Sequence, residues 1–436
     1  MFSCLWHHVQ NKYNIHKTKI VFYLNFIVLC LIAGTGSAFF SIMTDYAYLW
    51  GMELFKIYQY WSLLYVPFFF VVIALVLKRY FPYAGGSGLP QGYAVDVFDN
   101  ESLQHTYSLK TMFGKLTLTF LSIFSGASLG REGPTIQICA SIFASMKNIS
   151  HKQKKFLIHI GSGIGVATAF NAPLGGITFA LEEYIKHSET KANLILLLGV
   201  AIAGWTSIIF TGNYSYMGFI DTNLLLYNTH IFIIAISSGV ICGVLGSVFT
   251  YIVVAISVKG KFPLYNIKFK HYLVFAFIFG FLVALTGIIS HGLSFGNGVI
   301  FVKEQINNSI PIPWYYSLYK TLGAIFSIGA GMPGGYFSTA LSIGAGITAP
   351  LHNIFPNIAV EQLYLLGMVG FLSAITQAPI TAVAMILSIT SNTQFFILPV
   401  IFTSFLSSYI ARFFGDSVYH QQVLSYIDKD RYNETR

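Results

Sequence analysis

The chain has 436 residues, of which 9% are charged and 55% are hydrophobic, and its mean hydropathy is +0.66. Soluble domains carry roughly 25% charged residues, so this composition excludes a water-soluble protein and indicates a single all-α membrane domain. The net charge of +9 is spread over short loops rather than gathered in one basic patch, which argues against a nucleic-acid partner.

The polar segment 1–19 precedes a first apolar run, Ile20–Phe40. This run is long enough to span a bilayer and lacks a small-residue cleavage site, so we predict a retained helix rather than a signal peptide. Residues 211–228 carry one acid and no Lys or Arg, whereas four other loops are basic. The positive-inside rule therefore predicts a cytoplasmic N-terminus. The basic loops are Lys12–Lys19, Lys147–Lys155, Lys186–Lys191 and Lys259–Lys270.

Ten apolar segments are candidate spanning or buried helices. Several are shorter than the roughly 20 residues that cross about 30 Å of hydrocarbon, and glycines interrupt them. Helices that end inside a membrane are tolerated where their freed backbone groups line a cavity, so the pattern is typical of a transporter or channel. The segments are Ile20–Phe40, Trp61–Leu77, Leu116–Ala127, Phe156–Leu181, Ile195–Phe210, Ile231–Val258, Tyr272–Ile289, Leu341–Leu351, Leu363–Ile375 and Phe395–Phe413.

The first motif along the chain is Gly85-Gly-Ser-Gly-Leu-Pro90. Its glycines allow a sharp turn and a close approach to a ligand, and Pro90 can begin the next helix. The free N–H groups of that helix start, together with the Ser87 hydroxyl, would bind an anion without a full countercharge. A glycine-rich turn between two spans is the alternative.

The second motif, Gly130-Arg-Glu-Gly-Pro-Thr135, places two charges between apolar runs. A charge at membrane depth costs at least ~2.5 kcal/mol and is a functional candidate by default. At a helix start, an ionised Glu132 would occupy the place of an anion, and a protonated Glu132 would release it. One carboxylate would thereby couple proton and anion occupancy. A structural ion pair between Arg131 and Glu132 is the alternative.

The third motif begins with a helix-start signal, Asn171-Ala-Pro-Leu, and ends at Glu182 and Glu183 beside the basic loop at Lys186. One acid is expected to snorkel or to pair with a loop lysine, and the other could relay protons from the cytoplasm. An intramembrane hydrolase using these acids as an acid/base pair is a rival function. We do not favour an enzyme, because no His-x-x-x-His or paired Asp lies in the membrane segments.

The fourth motif, Gly334-Gly-Tyr-Phe-Ser-Thr339, is linked to the second by an internal repeat. Residues 115–134 align without gaps on residues 320–339, with Lys115/Lys320, Ser122/Ser327, Gly126/Gly331 and Gly130/Gly335 coinciding. Nearly the same offset brings Asn171-Ala-Pro-Leu onto Gln377-Ala-Pro-Ile.

We therefore predict two related halves, residues 20–210 and 211–414, followed by a short tail, residues 415–436. The backbone N–H groups of Tyr336 and Phe337 would face the anion from the second half, with a tight packing turn as the alternative. The four cysteines lie far apart in the sequence, and neither a disulfide framework, a metal site nor a cofactor is predicted.

Taken in this order and spacing, the four motifs resemble the CLC family of chloride channels and chloride/proton antiporters, over roughly residues 17–414. The resemblance implies an inverted-repeat fold in which broken helices meet at an anion site near the membrane midplane. It also implies a homodimer with one pathway in each subunit, in a bacterial-type inner membrane, with chloride and protons as the transported species.

The resemblance also implies roles for individual residues. Ser87 and the backbone amides of Tyr336 and Phe337 would bind the central chloride, and Arg131 and Gly133 belong to the same candidate anion site. Glu132 would be the external gating glutamate. Glu183 would be the internal proton-transfer glutamate, and because family channels generally lack an acid there, an antiporter is favoured over the alternative, a passive voltage- or pH-gated channel.

Two departures from the family pattern follow from the same comparison. The family is expected to place a tyrosine hydroxyl on the central chloride shortly before the final Leu-Pro helix, where this chain has Thr393 or Gln394. Either side chain can donate a hydrogen bond and is a candidate substitute, but neither has the bulk or reach of tyrosine. A passive channel would result if the missing tyrosine weakened the inner constriction enough to uncouple protons. The Ala-Pro expected after Phe337 is replaced by Ser338-Thr339.

Overall fold

The computed structural model describes residues 2–96, 98–184, 190–220, 230–258, 270–390 and 396–423. Seventeen α-helices cover most of these residues, and residues 418–423 are also helical. Ala180–Tyr184 forms a π-helical turn, and Ala349–Asn353 forms a 3₁₀ turn. The helices are α1 Phe2–Ile57, α2 Ser62–Tyr80, α3 Leu89–Tyr93, α4 Asn100–Thr106, α5 Leu109–Phe124, α6 Glu132–Ala144, α7 His151–Phe170, α8 Pro173–Phe179, α9 Thr190–Thr211, α10 Ile231–Ser257, α11 Tyr272–Ile289, α12 Val299–Asn308, α13 Tyr316–Gly329, α14 Phe337–Thr348, α15 Val360–Thr376, α16 Pro379–Ile389 and α17 Ile397–Phe414.

Six of the helices in the described part of the chain are long and apolar enough to cross a membrane: α1, α2, α9, α10, α11 and α17. Shorter helices form the interior. Every residue of α6 and of α15 is buried, which is the behaviour of a helix that is apolar on all sides. α6 packs chiefly on α7, and α14 packs chiefly on α15. The protein is therefore a polytopic membrane protein with short buried helices inside a shell of spanning helices.

The two halves meet through a pair of repeat partners. Gly130 and Gly335 form an antiparallel bridge, with Gly130 N–H donating to Gly335 O at 2.6 Å and Gly335 N–H donating to Gly130 O at 2.7 Å. A reciprocal contact between equivalent residues is the signature of a two-fold relation. The predicted all-α inverted-repeat fold is confirmed, and equivalent residues of the two repeats pair at this junction.

The second pair of repeat motifs has matching backbone geometry. Asn171 ends α7 with φ 51°, and Gln377 ends α15 with φ 56°, both in the left-handed region. Each is followed by Ala-Pro, and the proline opens the next helix, α8 or α16. A left-handed residue terminates a helix and Pro is suited to the first helical turn, so the same four-residue signal breaks a buried helix in each half.

Several predicted helix bounds are wrong. The first helix continues from Phe40 to Ile57, past polar residues such as Asp45 and Glu53 that interrupt the apolar run in the sequence. The predicted segment Phe156–Leu181 is two helices, since Asn171 and Pro173 break it. α12 and α13 were not predicted, because polar residues interrupt their apolar pattern.

Candidate anion-binding site

The starts of α6 and α14 face each other across the junction of the halves. In α6 the first intrahelical bond is donated by Thr135 to Arg131, and in α14 by Ala340 to Tyr336, so the preceding N–H groups are free of the helix ladder. The Gly130–Gly335 bridge holds both starts together. Two partial positive charges therefore converge on one region, where a negative charge is stabilised.

Ser87 joins this region from the first motif. Gly334 N–H donates to Gly86 O at 3.2 Å, which fixes the Ser87 turn to the start of the fourth motif. The Ser87 side chain is 4% exposed, and its hydroxyl has no partner among the described residues. A Cβ on Gly133 would lie 2.3 Å from Ser87 Oγ, so only glycine at position 133 leaves the hydroxyl accessible. An unpartnered buried donor beside helix starts fits an anion.

The Glu132 carboxyl lies in the same gap and is fully buried. Its Oε1 accepts a hydrogen bond from the Tyr216 hydroxyl at 2.5 Å and a longer one, 3.4 Å, from Asn297 Nδ2. Its Oε2 has no partner in the part of the chain described. A Cβ added to Gly130 would lie 2.2 Å from this Oε2. It would also lie 2.6 Å from Ser338 Oγ, which is unpartnered among the described residues as well. The carboxylate thus sits between the two helix starts.

Arg131 forms its ion pair with Asp45 and not with Glu132, its neighbour in sequence. Its Nη1 forms an ion pair with Asp45 and donates to Ser41 O at 2.8 Å, and Nη2 lies 3.4 Å from the Tyr214 hydroxyl. Among the described residues, no ion pair joins Arg131 to Glu132. The alternative of a structural Arg131–Glu132 pair is therefore wrong, and Asp45 neutralises the cation beside the site.

Tyr336 and Phe337 present backbone to the site while their rings build its wall. Both side chains are buried, and the Phe337 ring lies 5.1 Å from the Phe170 ring. The Tyr336 hydroxyl donates to Gln422 Oε1 at 2.8 Å, so it is engaged elsewhere.

A further tyrosine, Tyr419, reaches this wall from the segment after α17. Its ring stacks on Tyr336 at 5.1 Å, it is fully buried, and its hydroxyl has no partner within the described ranges. The sequence-based inference was that no tyrosine is present at the site, whereas Tyr419 contacts the wall of the site. The residues from which that inference was drawn, Thr393 and Gln394, lie outside the described residues.

The paired acids after α8 have different environments. Glu182 accepts bonds from the N–H groups of Ile380 at 3.2 Å and Thr381 at 2.7 Å, and from the Thr381 hydroxyl at 2.7 Å. It caps the start of α16, whereas Lys186, in the loop with which one acid is expected to pair, lies outside the described residues. Glu183 is half-buried in the π-helical turn, a distortion that is frequent at functional sites.

A cavity of about 260 Å³ opens beside Glu132 at the N-terminal end of α6, opposite the end that leads to the basic loop 147–155. It is lined by both charged partners, Arg131 and Asp45, by a second cation, Lys303, and by the two groups that bind Glu132, Tyr216 and Asn297.

Four residues near this site were missed in the sequence: Asp45, Tyr216, Asn297 and Tyr419. Three of them stand outside any motif, and only distant chain segments bring them to the site. Asn297 is different, because its flanking glycines repeat the Gly-x-Gly pattern around Ser87, and a search of the second half for that pattern finds it.

Comparison with known proteins agrees with this architecture. The family profile described as "Voltage gated chloride channel" matches residues 68–412. Curated relatives include two proteins named H(+)/Cl(-) exchange transporter ClcA. The one from Citrobacter koseri is 26% identical over 84% of this chain and 80% of its own length, and the one from Yersinia pestis is 25% identical over 96% and 90%.

Solved structures share the fold. A slow cyanobacterial Cl⁻/H⁺ antiporter superposes with a TM-score of 0.78 at 23% identity, covering 95% of this chain and 98% of that one. A CLC-type fluoride/proton antiporter superposes with a TM-score of 0.76 at 20% identity, covering 92% and 96%. The family profile spans most of the chain, so the protein belongs to the voltage-gated chloride channel family, whose members are channels and transporters.

Proposed function

We propose that this protein is a secondary active antiporter that exchanges chloride for protons, with Glu132 competing with chloride for the pathway. The observation that carries the proposal is the position of the Glu132 carboxyl: fully buried, between two helix starts, with one oxygen unpartnered among the described residues. A carboxylate and a chloride ion compete for the same N–H groups there, and protonation removes the carboxylate from that competition.

Glu183 is the proposed proton-transfer residue on the cytoplasmic side. Its support is its place in the π-helical turn and the engagement of its neighbour, Glu182, as a helix cap. Because the Glu182 carboxyl accepts three hydrogen bonds at the start of α16, it has a structural role, and Glu183 is the acid that we assign to proton transfer. The alternative function, an intramembrane hydrolase, would need both Glu182 and Glu183 as an acid/base pair. The use of Glu182 as a helix cap argues against that function.

The anion ligands in this proposal are the Ser87 hydroxyl, the N–H groups of Gly133, Tyr336 and Phe337, and the hydroxyl of Tyr419. Asp45 and Ser41 engage Arg131 Nη1, whereas Nε is buried without a partner among the described residues, so Nε is the Arg131 donor that remains for an anion. With Tyr419 buried at the wall of the site, the argument for a passive channel that rested on a missing tyrosine loses its support. The names of the curated relatives also favour exchange.

The proposed setting is a bacterial-type inner membrane with the N-terminus in the cytoplasm, supported by the basic loop 147–155 at the far end of α6 from the cavity. A homodimer with one pathway in each subunit is proposed from the family resemblance. Counting photobleaching steps of labelled protein in liposomes tests the dimer, and a majority of single-step events contradicts it.

The decisive experiment measures chloride and proton flux together from liposomes containing the purified protein. A chloride gradient should drive protons uphill. Glu132→Gln should retain chloride flux and lose proton movement, because a carboxamide of the same size cannot carry the proton.

Glu361→Gln is the matched control, since Glu361 is also a buried acid in the first turn of a helix with an unpartnered oxygen in the described structure, but it is not at the site. This control should keep both fluxes. Intact proton movement in Glu132→Gln refutes the proposal, and chloride flux that ignores pH in the unmodified protein favours the channel.

A further inference from the structure

The second half contains a loop that matches the Ser87 turn, and its central residue is Asn297. Gly86 and Gly88 have φ of 68° and 102°, and Gly296 and Gly298 have φ of 60° and 78°. In each case the second glycine caps a helix that begins at the next residue, α3 or α12. Non-glycine residues rarely adopt these backbone conformations, so the shared pattern reflects a shared local fold.

Buried lysines hold both loops in the same way. Lys115 Nζ donates to three successive carbonyls, those of residues 84, 85 and 86, at 2.7–3.1 Å. Lys320, its repeat partner, donates to the carbonyls of residues 294, 295 and 296, also at 2.7–3.1 Å. Three bonds use every donor of an ammonium group. Asn297 is thus the structural counterpart of Ser87, and the same clamp fixes it.

The Asn297 carboxamide has one orientation that satisfies its neighbours. Oδ1 accepts from Val299 N–H at 3.1 Å, and Ser342 Oγ donates to the Asn297 carbonyl at 2.9 Å. Since Oδ1 is engaged as an acceptor, Nδ2 faces both the Glu132 carboxylate and the Tyr216 hydroxyl, each at 3.4 Å. The loop that presents a hydroxyl to the anion site in one half therefore presents an amide donor to the gating carboxylate in the other.

Tyr216 is held as firmly as Asn297. Its neighbours anchor the chain, because Ser215 Oγ and Met217 N–H both bond to Ile389 O at 2.8 Å. The ring is buried and lies edge-on to Phe170 at 5.2 Å, with the Arg131 guanidinium 5.9 Å from its centre. The hydroxyl can therefore donate to Glu132 Oε1 without ordering a mobile side chain, which would cost entropy.

Resting on the function proposed above, we propose that Tyr216 and Asn297 form a latch of two fixed donors that keeps the Glu132 carboxylate in the anion pathway and limits how often it leaves. Both are positioning residues, since they act through Glu132. Hydrogen bonds to a charged group are stronger than neutral ones, so losing one destabilises the latched state relative to the released state.

The test is chloride turnover in liposomes for Tyr216→Phe, alone and combined with Glu132→Ala. The single substitution should speed chloride turnover on the order of tenfold, because it removes the shorter bond to the carboxylate. Asn297→Ala should give a smaller increase, since its bond is longer. In the Glu132→Ala background neither substitution should change turnover further, because the latched group is gone.

Tyr214→Phe is the matched control, because it removes a hydroxyl from the same cavity that bonds to Arg131 and not to Glu132. Unchanged or slower chloride turnover in Tyr216→Phe overturns the latch. An equal change in the unmodified and the Glu132→Ala proteins also overturns it, because Tyr216 would then have a purely structural role. Proton movement that survives Glu132→Ala is a separate result: it refutes the proposed antiport itself.

Discussion

At the residue scale, the proposed site contains buried polar atoms that have no hydrogen-bond partner in the described structure. Ser87 Oγ, Ser338 Oγ and Glu132 Oε2 are all buried without partners in the described structure, although buried polar atoms are usually paired. Leaving such groups unpaired costs free energy unless a ligand completes them. Their grouping beside two helix starts supports the proposed site, in which a bound anion would share the space with the carboxylate.

Replacing Ser87 by alanine tests this explanation. Ser87→Ala should weaken chloride binding by about 1 kcal/mol, or about fivefold, because one hydroxyl donor is lost while the backbone donors remain. Calorimetric titration of chloride into the purified protein measures the change. Ser141→Ala is the control, since that buried hydroxyl already bonds to Gln137 O within α6, and its chloride affinity should not change.

The sequence points to the residues that a local motif surrounds, and their roles at the site stay predictions. Glycine turns and helix-start signals identified Ser87, Glu132 and Phe337, because the backbone requirements of a broken helix are written in neighbouring residues. Tyr216 and Tyr419 carry no such local requirement. Only tertiary packing brings their rings to Phe170 and Tyr336, so a single sequence holds no signal for them.

At the element scale, the helices that distinguish this fold are those that end inside the protein. Pro173 and Pro379 open α8 and α16 after matching left-handed residues, which was predictable from the Ala-Pro signals. The partner of the α16 start was not predictable. Glu182, which follows α8 in the first half, accepts from the first N–H groups of α16 in the second half, so an acid from one repeat caps the broken helix of the other.

This cap separates the roles of the two adjacent acids. Glu182→Ala should lower the free energy of unfolding by about 1–2 kcal/mol, because the first N–H groups of α16 lose their acceptor and the helix dipole loses its countercharge. Glu183→Gln should leave stability nearly unchanged and abolish proton movement. Thermal unfolding in detergent and proton flux in liposomes measure the two effects. If Glu182→Ala lost proton movement while Glu183→Gln kept it, Glu182 rather than Glu183 would be the proton-transfer residue.

At the scale of the whole molecule, the inverted repeat places the same local structure in both halves. The lysine clamps of Lys115 and Lys320 are equivalent in geometry, yet one holds the loop of Ser87, whose hydroxyl is proposed to bind the anion, and the other holds the loop of Asn297, whose amide faces Glu132. The repeat itself was predictable from the offset of 205 residues, because Lys115 and Lys320 coincide in the alignment. The Ser87–Asn297 correspondence was not found, since the loop before α12 is shifted relative to that alignment.

The junction of the halves depends on glycine at position 335. A Cβ there would lie 2.6 Å from Gly133 N, a backbone atom that cannot rotate away, so Gly335→Ala must push the two helix starts apart. We expect a loss of about 1–3 kcal/mol in stability, as for overpacked cores, together with loss of chloride flux. Thermal unfolding and liposome flux measure both.

Gly36→Ala is the control, because its Cβ would meet only Ile142 Cδ1 at 3.9 Å in an α1 turn, and it should be neutral or slightly stabilising. A Gly335→Ala protein with normal stability and flux would mean that the helix starts can separate without cost, and the convergence of their dipoles would then not be what binds the anion.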